Sequence, residues 1–399
     1  MELSKRVHQL APSPTLALTA KAMSLRSQGL DVISFGAGEP DFDTPDHIKQ
    51  AAIRAIESGF TKYTPVGGID ELKDAIIAKF QNDNGILYDR SEILVSCGGK
   101  HAIYNLAQAL FEPNDEVIIP APFWVSYPPI VELAGATPVI LETSESDRFK
   151  VSPERLQRAI TPRTKAFILN SPCNPTGVAY DRKELEGLAE VILQEKIYVI
   201  SDEIYEKIVF DGFPFTSMAS LSSDLKNQTV IVHGMSKTYA MTGWRIGFTA
   251  GPADLVRAMT NLQSQSTSNP TSIAQKAAIT ALTGPQEPVV DMVKIFHDRR
   301  NLIVDRLNAI NGVSCLKPEG AFYVFPDLSR FFGRWWNGKG LIGSLDLADY
   351  FLTTSHVAMV PGVSFGAEGH MSLSFATSTE NIEKGLDRIE EGLDRLRQD

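Results

Sequence analysis

Apolar positions fall into two alternating patterns through the middle of the chain. Short, almost wholly apolar runs stand at residues 92–96, 116–120, 138–141, 165–170, 197–201, 229–233 and 245–250. Between most of them lie amphipathic stretches such as 184–194, where Leu185, Leu188, Ala189 and Leu193 recur near the helical period. A strand with one wet face alternates apolar with polar. A strand that is apolar throughout is covered on both faces, as in a parallel sheet between layers of helices. The pattern predicts an α/β fold with a mostly parallel sheet covered by helices, over residues 45–285. Thr44-Pro45-Asp46 predicts its opening helix, with Thr44 as N-cap and proline in the first helical position.

The C-terminal part has a different rhythm. Short strands are predicted at 321–325, 357–360 and 371–375, then a charged helix over 379–397. That helix carries an apolar stripe of Ile382, Leu386, Ile389, Leu393 and Leu396. These elements predict a smaller α+β domain built from residues 286–399 and joined by residues 1–44.

Composition narrows the function classes. The chain has 399 residues, 43% hydrophobic and 22% charged, enough for a large buried core. Its net charge is -10 without a Lys/Arg-rich run, so it lacks the clustered cations that bind nucleic acid. No apolar run approaches the ~18–20 residues that span a bilayer. The first residues, MELSKRVHQLAPSP, lack the apolar stretch of a secretory signal. Cys97, Cys173 and Cys315 form no C-x-x-C pair and read as buried small residues, which fits a reducing, cytoplasmic setting. The seven histidines show no metal-ligand spacing, and no metal is expected.

Four segments carry chemistry. Ser96-Cys97-Gly98-Gly99-Lys100 joins a strand to a helix, where glycines and a helix N-terminus suit an anion; a plain tight turn reads equally well. It is not a Walker A loop, because no Ser or Thr follows Lys100. Asn170-Ser171-Pro172-Cys173-Asn174-Pro175-Thr176-Gly177 fixes an irregular loop at a strand end, either a ligand loop or a structural turn. Asp202 follows a buried strand, where a carboxylate needs a cationic partner unless it is exposed or caps a helix. Finally, Lys237 and Arg245 stand eight residues apart after another strand, close enough to face one anionic ligand or to be unconnected. Lysine forms a Schiff base with an aldehyde when its amine is neutral.

Two rival signals are weaker. Gly362-Val363-Ser364-Phe365-Gly366 matches the G-x-S-x-G elbow of serine hydrolases, but that elbow needs a helix directly after the serine. Here AEGHMSLSF follows and reads as loop then strand. Trp335-Trp336 form an aromatic cluster, read as local packing ahead of a lid over a site.

Together the four segments, with FGAGEPDF from Phe35, Thr61-Lys62-Tyr63, PFWVSYP from Pro122, SDEIYE from Ser201, MSKTYAMTGWRIG from Met235 and PEGAFYV from Pro318, run in one order along the chain. In that order and spacing they resemble the fold-type I, class I/II aminotransferases that use pyridoxal 5'-phosphate (PLP), especially the bacterial aspartate aminotransferase branch. The resemblance implies that Lys237 carries PLP and moves protons at the substrate. It implies that Asp202 bonds the pyridine nitrogen, Tyr205 and Asn174 the phenolic oxygen, and that Trp124 stacks on the ring. Gly99, Lys100, Ser236 and Arg245 are implied to clamp the phosphate, with Tyr63 reaching it from the neighbouring subunit of a homodimer. Gly38, Lys100, Trp124 and Asn174 are implied on the substrate side, Lys100 for a distal carboxylate. L-Aspartate and 2-oxoglutarate are the implied substrates, in a ping-pong cycle. PLP-binding transcription regulators share the fold but add a DNA-binding domain, for which no basic patch speaks here.

One departure stands out. The family usually has an arginine for the substrate α-carboxylate where this sequence has Ser372, in Gly369-His370-Met371-Ser372-Leu373-Ser374-Phe375-Ala376. Serine has no planar cationic fork. The substrate lacks that contact, another cation replaces it, or the chain is a weakened variant of an aspartate enzyme, natural or deliberate. Ala11, where prephenate-using relatives carry lysine, lowers the expectation of prephenate use.

Overall fold

The computed structural model describes residues 3, 4 and 14–398, so the reading of Ala11 and most of that of the N-terminal segment lie outside the described residues. Seven strands form the main sheet: β1 (Ile93–Ser96), β2 (Glu116–Ala121), β3 (Thr137–Glu142), β4 (Thr164–Asn170), β5 (Tyr198–Asp202), β6 (Thr229–Gly234) and β7 (Gly247–Ala250). They lie in the order β1-β7-β6-β5-β4-β2-β3. β7 pairs antiparallel with both its neighbours, β1 and β6, and every other pairing in the sheet is parallel. All seven expected strands are present, displaced at their ends by no more than two residues.

Strand alternation shows why these runs are apolar throughout. Val117, Ile119, Ile168 and Ile200 face a helix layer that includes Ile103 and Leu106 of α3 (Gly99–Leu110). The residues between them, Ile118, Phe167, Leu169 and Val199, face Leu185, Leu188 and Ile192 of α4 (Arg182–Glu195) on the other side. Edge strand β3 has one neighbour and exposes Thr137, Ile140 and Glu142. Helix α4 begins with a capping box, in which Asp181 accepts from the Glu184 backbone N–H and Glu184 accepts from that of Asp181.

Helix α1 (Asp46–Glu57) starts one residue later than expected: Pro45 stands at its N-cap rather than in its first turn, and Thr44 does not cap it. Its hydroxyl instead donates to the Ala240 carbonyl at 2.7 Å and accepts from Trp244 Nε1 at 2.9 Å. A tertiary tie outcompeted the local cap.

A second, smaller sheet consists of β8 (Tyr323–Val324), β9 (Val360–Pro361) and β10 (Met371–Ser374), in the order β9-β10-β8 and antiparallel. The stripe Ile382, Leu386, Ile389, Leu393 and Leu396 on α5 (Thr379–Gln398) is buried against Phe322, Met371, Leu373 and Phe375. Residues Ile33–Ser34 pair in parallel with Val357–Ala358, and Ile33 and Phe35 join the same core. Asp31 tightens this union, accepting from Lys384 and Arg388 at 2.6 Å. The expected strand 321–325 is shorter because Ala321 sits at φ +56°, outside strand geometry. The expected strand 357–360 splits, each half pairing with a different partner.

The hydrolase signal does not survive. Gly362–Phe365 forms a single 3₁₀ turn, and the buried Ser364 hydroxyl has no hydrogen-bond partner. Trp335–Trp336 forms a two-residue hairpin with Lys339–Gly340. Trp336 packs edge-on against Tyr350 at 5.4 Å, while Trp335 is exposed. Cys315 is buried as expected, but Cys97 and Cys173 are only half-buried, and all three are free thiols. Among the described residues, no helix is long and apolar enough to cross a membrane.

A buried ion pair underpins the turn after β5. Lys79, the last residue of α2 (Asp70–Lys79), places Nζ 2.5 Å from Glu206 Oε1, with Asn84 Oδ1 at 2.9 Å. His233 Nε2 lies 3.6 Å from Glu206 Oε2. Burial alone would raise the Glu206 carboxyl, but Lys79 and His233 outweigh it and hold it well below the usual range. A carboxyl lowered by folding stabilises at neutral pH and loses that contribution on acidification. Lys79→Met strands this charge, and we expect a loss of about 3–5 kcal/mol at pH 7. Urea unfolding should show the deficit shrinking as pH falls below the ordinary carboxylate range; an undiminished deficit in acid would exclude a role for the ion pair.

Candidate active site

The C-terminal ends of β4, β5 and β6 and the N-terminus of α3 surround a cavity of about 380 Å³. Open parallel sheets bind ligands at this end. Asp202 closes β5, buried, with Oδ2 accepting from the Tyr127 hydroxyl at 2.7 Å and Oδ1 from the Ile204 N–H at 3.3 Å. Burial pushes its carboxyl up to about 6, against the opposing Tyr127 and Ile204 bonds and the Lys237 charge. Asn170, at the end of β4, donates to the Asp202 carbonyl at 3.0 Å and accepts from the Asn174 N–H at 2.8 Å. It thereby hangs the Asn174 loop over the cavity. Gly177 ends that loop at φ +69°, where a Cβ would meet Pro318 Cβ at 2.5 Å.

Lys237 follows β6 and donates to the Gly38 carbonyl. Its Nζ stands 6.0 Å from the Tyr205 ring centroid and 5.7 Å from that of Phe322. Burial lowers its amine to about 8; Glu39 and Asp202 oppose the shift, and Arg245 and Lys100 add to it. A substantial fraction of the amine is therefore neutral near physiological pH.

The opposite wall is built for an anion. Gly98 precedes α3 at φ +91°, and a Cβ there would lie 2.2 Å from Arg245 Nη2. The turn after β1 thus approaches Arg245 closely only as glycine. The N–H groups of Gly99 and Lys100 open α3, where a helix leaves its donors unpaired. Arg245 donates to the Thr242 carbonyl at 2.8 Å and the Cys97 carbonyl at 3.2 Å, and has no carboxylate partner among the described residues. Ser236 lines the same wall. Lys100 Nζ sits 4.9 Å over the Trp124 ring, its amine lowered by burial and then by Arg245. Trp124 meets Tyr127 edge-on at 5.3 Å.

Of the residues singled out from the sequence, Gly38, Gly99, Lys100, Trp124, Asn174, Asp202, Tyr205, Ser236, Lys237 and Arg245 all line this cavity. Tyr63 does not; it is 91% exposed. Ser372 does not line the cavity either. It is buried on β10, where Met371 and Leu373 point into the small core and Ser372 faces the other way. Its hydroxyl makes no hydrogen bond among the described residues.

Sequence reasoning missed Glu39, Tyr127, Asn170, Thr242 and Tyr323 as lining residues. Tyr127 and Tyr323 stood inside quoted motifs, but their bonds to Asp202 and Tyr205 cross 75 and 118 residues. It also missed one convergence. Ligand atoms of Glu145, Asp327 and His370 lie within 4.8 Å of one another, a grouping that linear spacing cannot reveal.

These features define a class: an α/β protein whose strand ends set a lysine lowered by burial and a buried carboxylate opposite a helix N-terminus and an arginine without a carboxylate partner. Residues 30–389 match the model for aminotransferase class I and II, and the chain belongs to that family. It is 51% identical over 391 residues to an aspartate aminotransferase of Geobacillus stearothermophilus, covering 97% of this chain and 98% of that one. It is 50% identical to an aspartate/prephenate aminotransferase of Nitrosomonas europaea, covering 97% and 98%. Among solved structures, an aspartate aminotransferase of Rhizobium meliloti superposes with a TM-score of 0.96 at 44% identity, covering 99% of both chains. One from Thermus thermophilus, solved with maleate, gives 0.93 at 43% identity, covering 98% and 100%. The family is PLP-dependent.

The residues fit that cofactor. Asp202 is a buried carboxylate without a bonded cation, matching a protonated ring nitrogen. The Gly98 turn and Arg245 form a cradle that a Cβ would fill, matching a phosphate. A lysine is nucleophilic only when neutral. Uptake of PLP by the cofactor-free chain should therefore accelerate with pH, half-maximal near about 8 rather than the ordinary 10.5. Stopped-flow absorbance between pH 6 and 11 measures this; a midpoint above 10 would mean burial does not act on Lys237.

Proposed function

We propose that the chain is a PLP-dependent aminotransferase that moves the amino group of L-aspartate to 2-oxoglutarate by a ping-pong cycle. The observation that carries it is the convergence of Lys237, Asp202 and the Gly99–Arg245 anion cradle on one cavity, in a chain half identical to aspartate aminotransferases.

PLP, when bound, supplies a sink for the electrons left at substrate Cα as its proton departs. Lys237 holds the cofactor in the resting enzyme. Its amine would serve as the general base for the Cα proton of the substrate. Asp202, oriented by the Tyr127 hydroxyl, would hold the proton on the ring nitrogen. Tyr205 and Asn174 would donate to the phenolic oxygen, and Trp124 would pack against the ring. Backbone N–H groups of Gly99 and Lys100, with Ser236 and Arg245, hold the phosphate. Lys100 would meet the distal carboxylate; its amine stands over the Trp124 ring, and no acid pairs with it among the described residues. Maleate, in the Thermus relative, is itself a dicarboxylate. Gly38 closes over the substrate from the N-terminal segment.

We read Tyr63 as part of a neighbouring subunit's phosphate site in a homodimer, consistent with its exposure. We divide the chain into a PLP-binding domain, 45–285, and a small domain of 1–44 and 286–399, and assign the enzyme to the cytoplasm.

Ser372 favours a second reading, altered donor specificity. Its short side chain offers no cation to an α-carboxylate, and losing a desolvated charge pair costs on the order of 2–5 kcal/mol. The half-reaction separates the two. PLP-loaded protein is mixed with L-aspartate alone, and the visible cofactor band is followed. Clean conversion to the pyridoxamine spectrum at modest aspartate supports the first reading. A band that aspartate leaves unchanged, but another amine converts, supports the second. On the second reading Ser372→Arg should improve kcat/KM for aspartate by roughly tenfold or more. Lys237→Ala should abolish conversion on either.

A further inference from the structure

We infer that Tyr323 is a positioning residue that sets the hydroxyl of Tyr205 and ties it to the strand carrying Ser372; this rests on the PLP reading above. The two phenol oxygens lie 3.0 Å apart, both residues are buried, and both line the cavity. Each phenol has one proton. If Tyr205 donates to the cavity, its bond with Tyr323 is one in which Tyr323 donates. Burial raises both phenols well above their ordinary range, so both keep their protons. A hydroxyl that accepts a hydrogen bond becomes a better donor, so Tyr323 strengthens the bond that Tyr205 makes.

Tyr323 also reaches the substrate side. Its hydroxyl lies 3.4 Å from where a Cβ on Gly38 would stand, and the Gly38 carbonyl takes the bond from Lys237. Its strand, β8, pairs with β10 in the register Ser374↔Tyr323 and Leu373↔Val324, next to Ser372. Ser374 N–H in turn donates to the Phe35 carbonyl at 2.7 Å. Displacement of β10 or of the Gly38 segment therefore acts on Tyr323 directly, and through it on Tyr205.

The test is the pH titration of the visible band of PLP-loaded protein, beside the Kd for PLP. Donation by Tyr205 favours the form with negative charge on the phenolic oxygen, so weakening it raises the midpoint. Tyr205→Phe should raise it by about one unit and Tyr323→Phe by about half a unit. The double variant should match Tyr205→Phe alone, since Tyr323 acts through Tyr205. Tyr323→Phe keeps the ring packed on Phe322 at 4.8 Å, and thermal unfolding checks that it does. A wild-type midpoint and Kd in Tyr323→Phe, beside a shifted Tyr205→Phe, would overturn the inference; so would full additivity. A wild-type chain that takes up no PLP overturns the underlying reading instead.

Discussion

The site is organised around a carboxylate buried where the protein gives it no bonded cation. Asp202 ends a central strand, covered by the sheet and by Tyr127, and its carboxyl is pushed up to about 6. Isolated burial of a charge is costly, and ordinary cores avoid it. On the proposed reading, the group that completes the pair is brought by the cofactor. The bond from Tyr127 prevents Asp202 from turning away, and the Asn170 amide locks the backbone on which it stands.

The same logic covers the cationic side. Lys100, Lys237 and Arg245 share one cavity, and burial lowers both lysines, with Arg245 adding to the shift in each. On Lys237, Glu39 and Asp202 oppose the shift more strongly than Arg245 and Lys100 add to it, so burial is what lowers the amine. For Lys237 that is useful, since a reactive amine must spend time neutral. Lys100 and Arg245 have no carboxylate partner among the described residues, which on the proposed reading leaves them to meet an anion from outside. The Lys79–Glu206 pair behind Tyr205 differs: both its charges are inside the protein and face each other, so its role is structural.

What could be read from the sequence follows from the range of the interactions. The main sheet was legible because two-sided burial writes itself into every residue of a strand. Helix α5 was legible because five apolar residues at helical spacing share one core. The ten cavity residues came from motifs, each of which sits at a strand end or a turn that its own glycines and prolines dictate. Reasoning failed where a local rule competed with a distant partner. Thr44 abandoned its cap for Ala240 and Trp244, and strand 357–360 divided between two sheets. Glu145, Asp327 and His370, and the Tyr205–Tyr323 bond, depend on contacts between segments that have no regular spacing.

Ser372 is intelligible only within this arrangement. On β10 the alternation that puts Met371 and Leu373 in the small core turns residue 372 to the strand's other face, where it is also buried. A long cationic side chain at this position would extend from a strand whose neighbour, β8, carries Tyr323 to the cavity. Serine keeps the strand and its register while removing that reach. On the reading of altered donor specificity, the change falls on recognition of the substrate's carboxylate, while the residues that line the cavity are left as they are.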